Sequence, residues 1–453
     1  MSRAWPARVV LPLAAVNLTA LGALTAPVVA GLPLKVAAAV PDDQRTSTLA
    51  TLVALGSIVA VVASPLFGAL SDRTRGRFGR RIPWIVGGAI VGLGTTAGLA
   101  MSTDLGPVTV WWMATQAAYN AVLAGTSALL ADSVTERERA SASGVFTAAS
   151  FVGTLPPLLL IAVLPHEVST VMFVMPVAAI LAAVACAVIV RDAPLTQRQG
   201  TTDAVAPASA HDISAADTSA DGTSPDNISP DHAPNPRPGA AFVAVWVQRF
   251  AVGVAFSLIA AFTLYLVSDR MTGDDVAAAS PASLATLLGG AGVVVGALVA
   301  GAWASRRGRY TPALVAGAVL LAAAGVLKAV ATTPVTLWAA ALCAGLGMGS
   351  ILALNFALAM RSVPAARTGT YLGVLNIAET LPQLIVPLVA ASLVRVGGVD
   401  PFSGGIDNYV TLYLIGAAVA LATISLLPAM RGILRQRADA AAAPVSAGRG
   451  PTG

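Results

Sequence analysis

Charge is scarce in this sequence. Asp, Glu, Lys and Arg make up only 11% of the 453 residues, against roughly 25% in soluble domains, and 56% of the residues are hydrophobic. This balance excludes an ordinary soluble globular domain. The net charge is +5, but the basic residues stand in short segments between apolar runs. They are therefore expected to orient the chain in a lipid bilayer, and no nucleic-acid partner is predicted.

Cysteine and histidine are also rare. Both cysteines, Cys186 and Cys343, lie inside apolar runs, so no disulfide framework is expected. His211 and His232 stand near aspartates at a spacing that matches no metal-ligand motif. Walker sequences and nucleophile arrangements are missing as well. The sequence therefore predicts neither an enzyme nor a metal site, a cofactor or an ATP-driven pump.

Long apolar runs are abundant. A helix needs about 20 apolar residues to cross a bilayer, and such runs predict an all-α membrane protein with twelve spans, at 8–32, 47–70, 82–101, 108–130, 140–164, 168–190, 241–267, 282–304, 311–332, 334–359, 370–394 and 409–428. Of the 27 Lys and Arg residues, only Lys35, Arg45, Arg270, Lys328 and Arg395 fall on the side opposite the termini, and Arg249 lies near a boundary. This asymmetry predicts a cell-membrane protein with both termini in the cytoplasm.

The composition changes abruptly between Arg191 and Ala240. Ala, Ser, Thr, Pro and seven aspartates replace the apolar residues. Such a segment buries too little apolar surface to offset its ordering entropy. We expect a disordered cytoplasmic linker at 191–240 that separates two six-helix bundles, 1–190 and 241–430, followed by a cytoplasmic tail at 431–453. A monomer is expected.

The most informative stretch is GALSDRTRGRFGRRIPW, from Gly68 to Trp84. It resembles the loop between the second and third spans of major facilitator transporters. Its longer form, with Arg75 to Phe78 inserted and ending R-F-G-R-R-I-P-W, is similar to the branch of glycoside-pentoside-hexuronide cation symporters and plant sucrose transporters. The resemblance implies the major facilitator fold and a loop that latches the cytoplasmic ends of the two halves, through Gly68, Asp72, Arg73, Gly79, Arg80 and Arg81.

The two halves of the chain echo each other. Gly301-Ala302-Trp303-Ala304-Ser305-Arg306 follows the eighth span as Gly68-Ala69-Leu70-Ser71-Asp72-Arg73 follows the second, with Ser305 in place of the acid. This pattern indicates parallel repeats. Asp132 and Glu136 close the fourth span; they either pair with the loop arginines or belong to a solvated loop.

Ionisable groups inside a membrane are costly and therefore informative. Glu379 is the deepest carboxylate, and Asn376, Glu379 and Gln383 stand at i, i+3 and i+7, on one helical face. This face is either a substrate and proton site or a structural hydrogen bond between helices. A desolvated carboxyl can bind and release protons as its exposure changes, so Glu379 is the candidate proton-coupling residue.

Other polar residues lie in the spans that the resemblance places around a central cavity. Asn17, Gln116, Tyr119 and Asn120 are candidate solute contacts, and interhelical packing is their alternative. Arg249 is either a buried anion binder or a marker of the cytoplasmic surface. Lys328 is expected to extend to the outer surface, and Asn355 to lie near the membrane interface.

Together these features predict a secondary transporter for a small polar solute such as a sugar or glycoside, coupled to a proton or another cation. One departure from the symporter branch is that the second and fourth spans lack acidic coupling residues. Two alternatives stay open: proton-driven export of drug-like or lipophilic compounds, and a membrane scaffold or sensor that transports nothing.

Overall fold

The computed structural model describes residues 7–76, 78–164, 167–190, 239–273 and 275–434. The predicted linker at 191–240 and tail at 431–453 lie almost entirely outside these ranges. Within them the chain forms twelve helical spans, and the prediction of an all-α membrane protein with twelve helices is confirmed. Ten helices in the described ranges are long and apolar enough to cross a membrane.

The first half contains six spans. These are α1 (Ala7–Ala26, continued by a π-helical turn Pro27–Gly31 and by Leu32–Ala39), α2 (Asp42–Arg73), α3 (Ile82–Met101), α4 (Leu105–Ser133), α5 (Arg139–Val152 and Leu155–Val163) and α6 (Val168–Ile189). Pro83 and Pro156 lie in the first turns of helices, where the missing proline N–H has no helical partner to lose.

The second half repeats this organisation. Its spans are α7 (Ala240–Ala260, Thr263–Val267 and a π-helical turn Ser268–Thr272), α8 (Asp275–Arg307), α9 (Thr311–Ala329), α10 (Pro334–Ser362), α11 (Thr368–Leu393) and α12 (Tyr409–Ala422, continued by a 3-10 helix Thr423–Met430). Thr333 caps the N-terminus of α10 in a capping box. Its side chain accepts a hydrogen bond from Thr336 N–H, and the Thr336 hydroxyl accepts one from Thr333 N–H.

The two halves meet along two seams, α2 against α11 and α5 against α8. Glycine makes both seams close: a Cβ on Gly68 would lie 2.1 Å from the Gly369 carbonyl oxygen, and one on Gly144 would lie 2.5 Å from that of Ala297. We call the end of the molecule that carries the α2–α3 loop the Arg81 end. The segments at the opposite end, 27–39, 155–163 and 263–272, pack mainly within their own halves.

A break interrupts α7 near the opposite end. Phe262 has φ +53°, the only positive φ among the described non-glycine residues. The carbonyl groups freed by the break find side-chain donors: the Tyr413 hydroxyl donates to Ala261 O at 2.9 Å, and the Lys328 ammonium donates to Ile259 O at 2.6 Å. Lys328 is 5% exposed, so the prediction that it extends to the surface is wrong.

Candidate functional site

Asp72, in the last turn of α2, joins the two halves at the Arg81 end. Its carboxylate accepts hydrogen bonds from Gly369 N–H at 3.0 Å, from Thr370 N–H at 2.7 Å and from the Thr370 hydroxyl at 2.7 Å. These donors belong to the first turn of α11, where backbone N–H groups lack helical partners and the helix dipole favours an anion. We call Asp72 and this helix turn the latch.

Two arginines of the α2–α3 loop hold the acids in place. Arg81 is fully buried; it forms an ion pair with Asp72, with 2.6 Å between Nη2 and Oδ1, and it donates to Ser71 Oγ at 2.6 Å and to Asp132 Oδ2 at 3.3 Å. Arg80 pairs with Asp132 at 2.6 Å. Asp132 therefore pairs with the loop arginines, which was one of its two predicted roles.

The remaining loop residues frame this network. Gly79 has φ +85°, a left-handed conformation that glycine adopts without strain and that turns the chain into α3. Arg73 is exposed at the end of α2. The six residues predicted for the latch thus lie together, and Asp72 makes the direct hydrogen bonds to the second half.

The second seam repeats the arrangement without a carboxylate. Ser305, the counterpart of Asp72, accepts from Ser141 N–H at 2.8 Å in the first turn of α5. Nearby, Arg361 pairs with Glu136 at 2.6 Å, and this ion pair also crosses between the halves. Both helix N-termini that face the partner half are therefore capped by side chains, one by an anion and one by a hydroxyl.

A cavity of about 120 Å³ lies between the halves, farther from the Arg81 end than these contacts. Its lining comes from seven spans of both halves. The polar lining residues are Asn17, Ser64, Ser127, Thr147, Ser150, Arg249, Asn376 and Glu379. Phe146 of α5 and Phe356 of α10 stack across the halves with ring centroids 5.5 Å apart, and both line the cavity. The cavity therefore combines amides and hydroxyls with one ion pair.

That ion pair joins Arg249 of α7 to Glu379 of α11. The Arg249 side chain is 8% exposed and also donates to Leu352 O at 3.1 Å, whereas the Glu379 side chain is 29% exposed. The interpretation of Arg249 as a surface marker is wrong because α7 already begins at Ala240, so Arg249 lies about 14 Å along the helix. Counting residues from that helix start was the signal in the sequence that could have shown Arg249 to lie inside the helix.

The cavity brings together only some of the predicted solute contacts. Asn17 and Asn376 line it with Glu379. The Asn17 amide donates to Phe146 O at 3.1 Å and to Ser150 Oγ at 2.6 Å. Gln383 is exposed on α11 and is not among the lining residues.

The polar group of α4 lies elsewhere. Asn120 donates to the Gln116 carbonyl oxygen of its own helix at 2.8 Å. Tyr119 is fully buried, with its ring against Gly92 of α3. None of these three residues lines the cavity, to which α4 contributes Leu123, Ala124 and Ser127. Asn355 of α10 is buried within the protein, and its position near the membrane interface stays a prediction.

Two six-helix halves with a cavity between them define a multi-pass helical membrane protein. The family model of the Major Facilitator Superfamily matches residues 45–387 and 241–447. The chain belongs to this superfamily and is a secondary transporter, not an enzyme.

Solved structures share the fold at low identity. The human organic anion transporter MFSD10 aligns with a TM-score of 0.69 at 16% identity, covering 93% of this chain and 99% of that one. The proton:xylose symporter XylE gives 0.69 at 14%, covering 93% and 95%. FucP in its outward conformation gives 0.66 at 12%, covering 92% and 99%.

A curated relative matches over a short segment. The uncharacterized symporter sll1374 of Synechocystis is 48% identical over 40 residues. This match covers 9% of the present chain and 7% of the symporter.

Proposed function

We propose that this transporter carries a small polar solute, such as a sugar or glycoside, together with a proton through the cell membrane. The observation that carries the proposal is the Arg249–Glu379 pair in the cavity wall. Its carboxylate is partly exposed to the cavity, whereas its guanidinium is buried. A proton arriving through the cavity therefore reaches Glu379 first.

Protonation of Glu379 removes the negative partner of Arg249. The guanidinium then keeps its hydrogen bond to Leu352 O but holds an unpaired buried charge, which favours a new hydrogen-bond acceptor from the solute. Because the pair joins α7, α10 and α11, breaking it changes the packing of the second half. One charge crossing 100 mV supplies about 2.3 kcal/mol, enough for a solute gradient of roughly fortyfold at about 1.4 kcal/mol per tenfold.

The other lining residues suit a hydroxyl-rich solute. Each solute hydroxyl that leaves water needs a replacement partner. The side chains of Asn17, Ser127 and Asn376 offer such partners on the cavity wall. The R-F-G-R-R-I-P-W loop and the local likeness to a symporter support placement in the cation-symporter branch.

The latch closes the cytoplasmic side in this proposal. The basic loops assign the Arg81 end to the cytoplasm, and the hydrogen bonds between the halves lie at that end. The two bundles, 1–190 and 241–430, then rock about the cavity while the linker at 191–240 connects them.

The decisive experiment uses purified protein in vesicles with an imposed pH gradient. Wild type is expected to accumulate a radiolabelled sugar when the outside is acidic. Glu379→Gln should lose this accumulation and retain solute exchange, because it mimics the protonated state. Asp104→Asn, a matched change at an exposed site, should behave as wild type.

Sugar flux that ignores the gradient, or coupling that survives in Glu379→Gln, contradicts proton symport. Export of a lipophilic dye without sugar flux would favour the drug-export alternative. Binding without any flux would favour the scaffold.

A further inference from the structure

A second cavity of about 170 Å³ lies within the second half, toward the end opposite Arg81. It shares no lining residue with the central cavity. Its walls come from α7, α8 and α10, and they are mostly apolar: Phe256, Ile259, Ala260, Ala285, Gly289, Gly290, Leu337, Ala341 and Ala344. Its charged lining residue is Lys328 of α9.

Lys328 is a buried lysine whose ammonium contacts only uncharged groups in the part of the chain that the structure describes. Its ammonium donates to Ile259 O and to Thr263 Oγ1, both at 2.6 Å, and lies 4.8 Å from the centre of the Tyr413 ring. Among the described residues no acidic side chain forms an ion pair with it. The free carbonyl groups at the end of the α7 segment at Ala260 compensate part of the charge of the ammonium.

The cavity offers an anion a single strong donor. Lys328 has three N–H donors, and two of them are used. The lining hydroxyls of Thr263 and Thr286 donate to backbone carbonyls of their own helices. Only the third ammonium hydrogen is left for a ligand. This arrangement suits a carboxylate better than a phosphate, whose oxygens need several donors.

The volume limits the rest of the ligand. An apolar cavity of about 150 Å³ binds benzene, so 170 Å³ holds one aromatic ring or a short aliphatic chain. We propose that this cavity binds a small apolar carboxylate, with its head group on Lys328 and its body between α7, α8 and α10. This site is independent of the polar-solute site proposed above.

The test is calorimetric titration of the full chain in nanodiscs with benzoate. Benzoate is expected to bind, and the neutral isostere benzamide at least tenfold more weakly. Lys328→Met should weaken benzoate binding at least tenfold. Because Lys328 also holds the broken end of α7, Ala341→Leu provides a second variant that fills the cavity and keeps the ammonium.

Ala341→Leu is expected to weaken benzoate at least tenfold, whereas Ala339→Leu, on the exposed face of α10, should leave it unchanged. Wild type that does not bind benzoate overturns the proposal. Benzoate affinity in Lys328→Met equal to that of wild type also overturns the proposal. So does the result that Arg249→Met loses benzoate binding while Lys328→Met retains it. Oleate that binds tenfold more tightly than benzoate would identify a lipid chain and refute the size argument.

Discussion

Replacing Asp72 by Asn should open the Arg81 end of the molecule. The substitution keeps the size of the side chain and removes its charge. In wild type the carboxylate accepts three hydrogen bonds from Gly369 and Thr370, and its side chain is only 5% exposed. The ion pair with Arg81 lies within one half, so it persists in both states and does not enter the equilibrium.

The size of the effect follows from these contacts. An amide retains one acceptor oxygen and presents N–H groups to a helix N-terminus that already points its own N–H groups outward. Hydrogen bonds to a charged group contribute about 1.5–3 kcal/mol each. The easier desolvation of Asn offsets part of the loss. A net loss of about 2–3 kcal/mol from the closed state corresponds to roughly a 30- to 150-fold population shift at about 1.4 kcal/mol per tenfold.

The shift is measurable as a distance between spin labels across the Arg81 end. Gly76 and Gly432 suit labelling: a Cβ on Gly432 meets no atom within 4 Å, and one on Gly76 meets only a carbonyl oxygen at 3.7 Å. Alanine replaces Cys186 and Cys343 in the background. Asp72→Asn should move the main population of the electron-electron distance distribution to longer values.

The control is Asp104→Asn, which removes an exposed carboxylate at the start of α4. The Asp104 side chain makes no capping hydrogen bond. It should leave the distribution unchanged. An unaltered distribution in Asp72→Asn, or an equal shift in the control, would refute the reasoning.

Three further outcomes follow from contacts elsewhere. Gly144→Leu should abolish solute exchange, because its Cβ would lie 2.5 Å from a backbone oxygen of α8, whereas Gly87→Leu, with open space, should not. Glu136→Gln should shift the spin-label populations less than Asp72→Asn does, since the Glu136 side chain is 40% exposed and water screens its charge. Asp400→Asn should cost about 3 kcal/mol in thermal unfolding, because it breaks a fully buried pair with Arg270.

The last variant has a pH signature. Burial raises the pKa of Asp400, but hydrogen bonds from Arg270 and from two backbone N–H groups outweigh it, and the net pKa is lowered. A lowered pKa means that the carboxylate stabilises the fold fully above about pH 4, near the unfolded value. This contribution is lost as the pH falls through the lowered pKa. Melting curves of wild type should therefore approach those of Asp400→Asn only in acid.

The spans and the grouping of the loop residues around Asp72 could be predicted because their signals are local. A run of about 20 apolar residues is sufficient to indicate a membrane helix, and α3 has the predicted bounds, 82–101. Asp72 and the arginines lie within one short motif, so their association needed no knowledge of distant packing. The repeat marked Ser305 as the counterpart of Asp72, but the sequence did not predict its contact with α5.

The buried charges were harder to place because their partners are far along the chain. Arg249 and Glu379 are 130 residues apart, and hydropathy alone does not reveal that one neutralises the other. Lys328 stays buried because a break in α7 offers it a carbonyl oxygen, and no residue pattern in the sequence indicates that break. Helical spacing also does not say which face of α4 meets the cavity, so the sequence left open whether Tyr119 contacts solute or packs against a neighbouring helix.

The difference between the carboxylate of Asp72 and the hydroxyl of Ser305 affects the stability of the conformation in which the two halves are in contact at the Arg81 end. A carboxylate at both positions would stabilise the same conformer twice, and the barrier to leaving that conformer would rise. The Ser305 hydroxyl still accepts a hydrogen bond from the facing N–H of Ser141, but it stabilises this conformer less than a carboxylate would. The Asp72 contact is therefore expected to resist separation of the two halves more strongly than the Ser305 contact does.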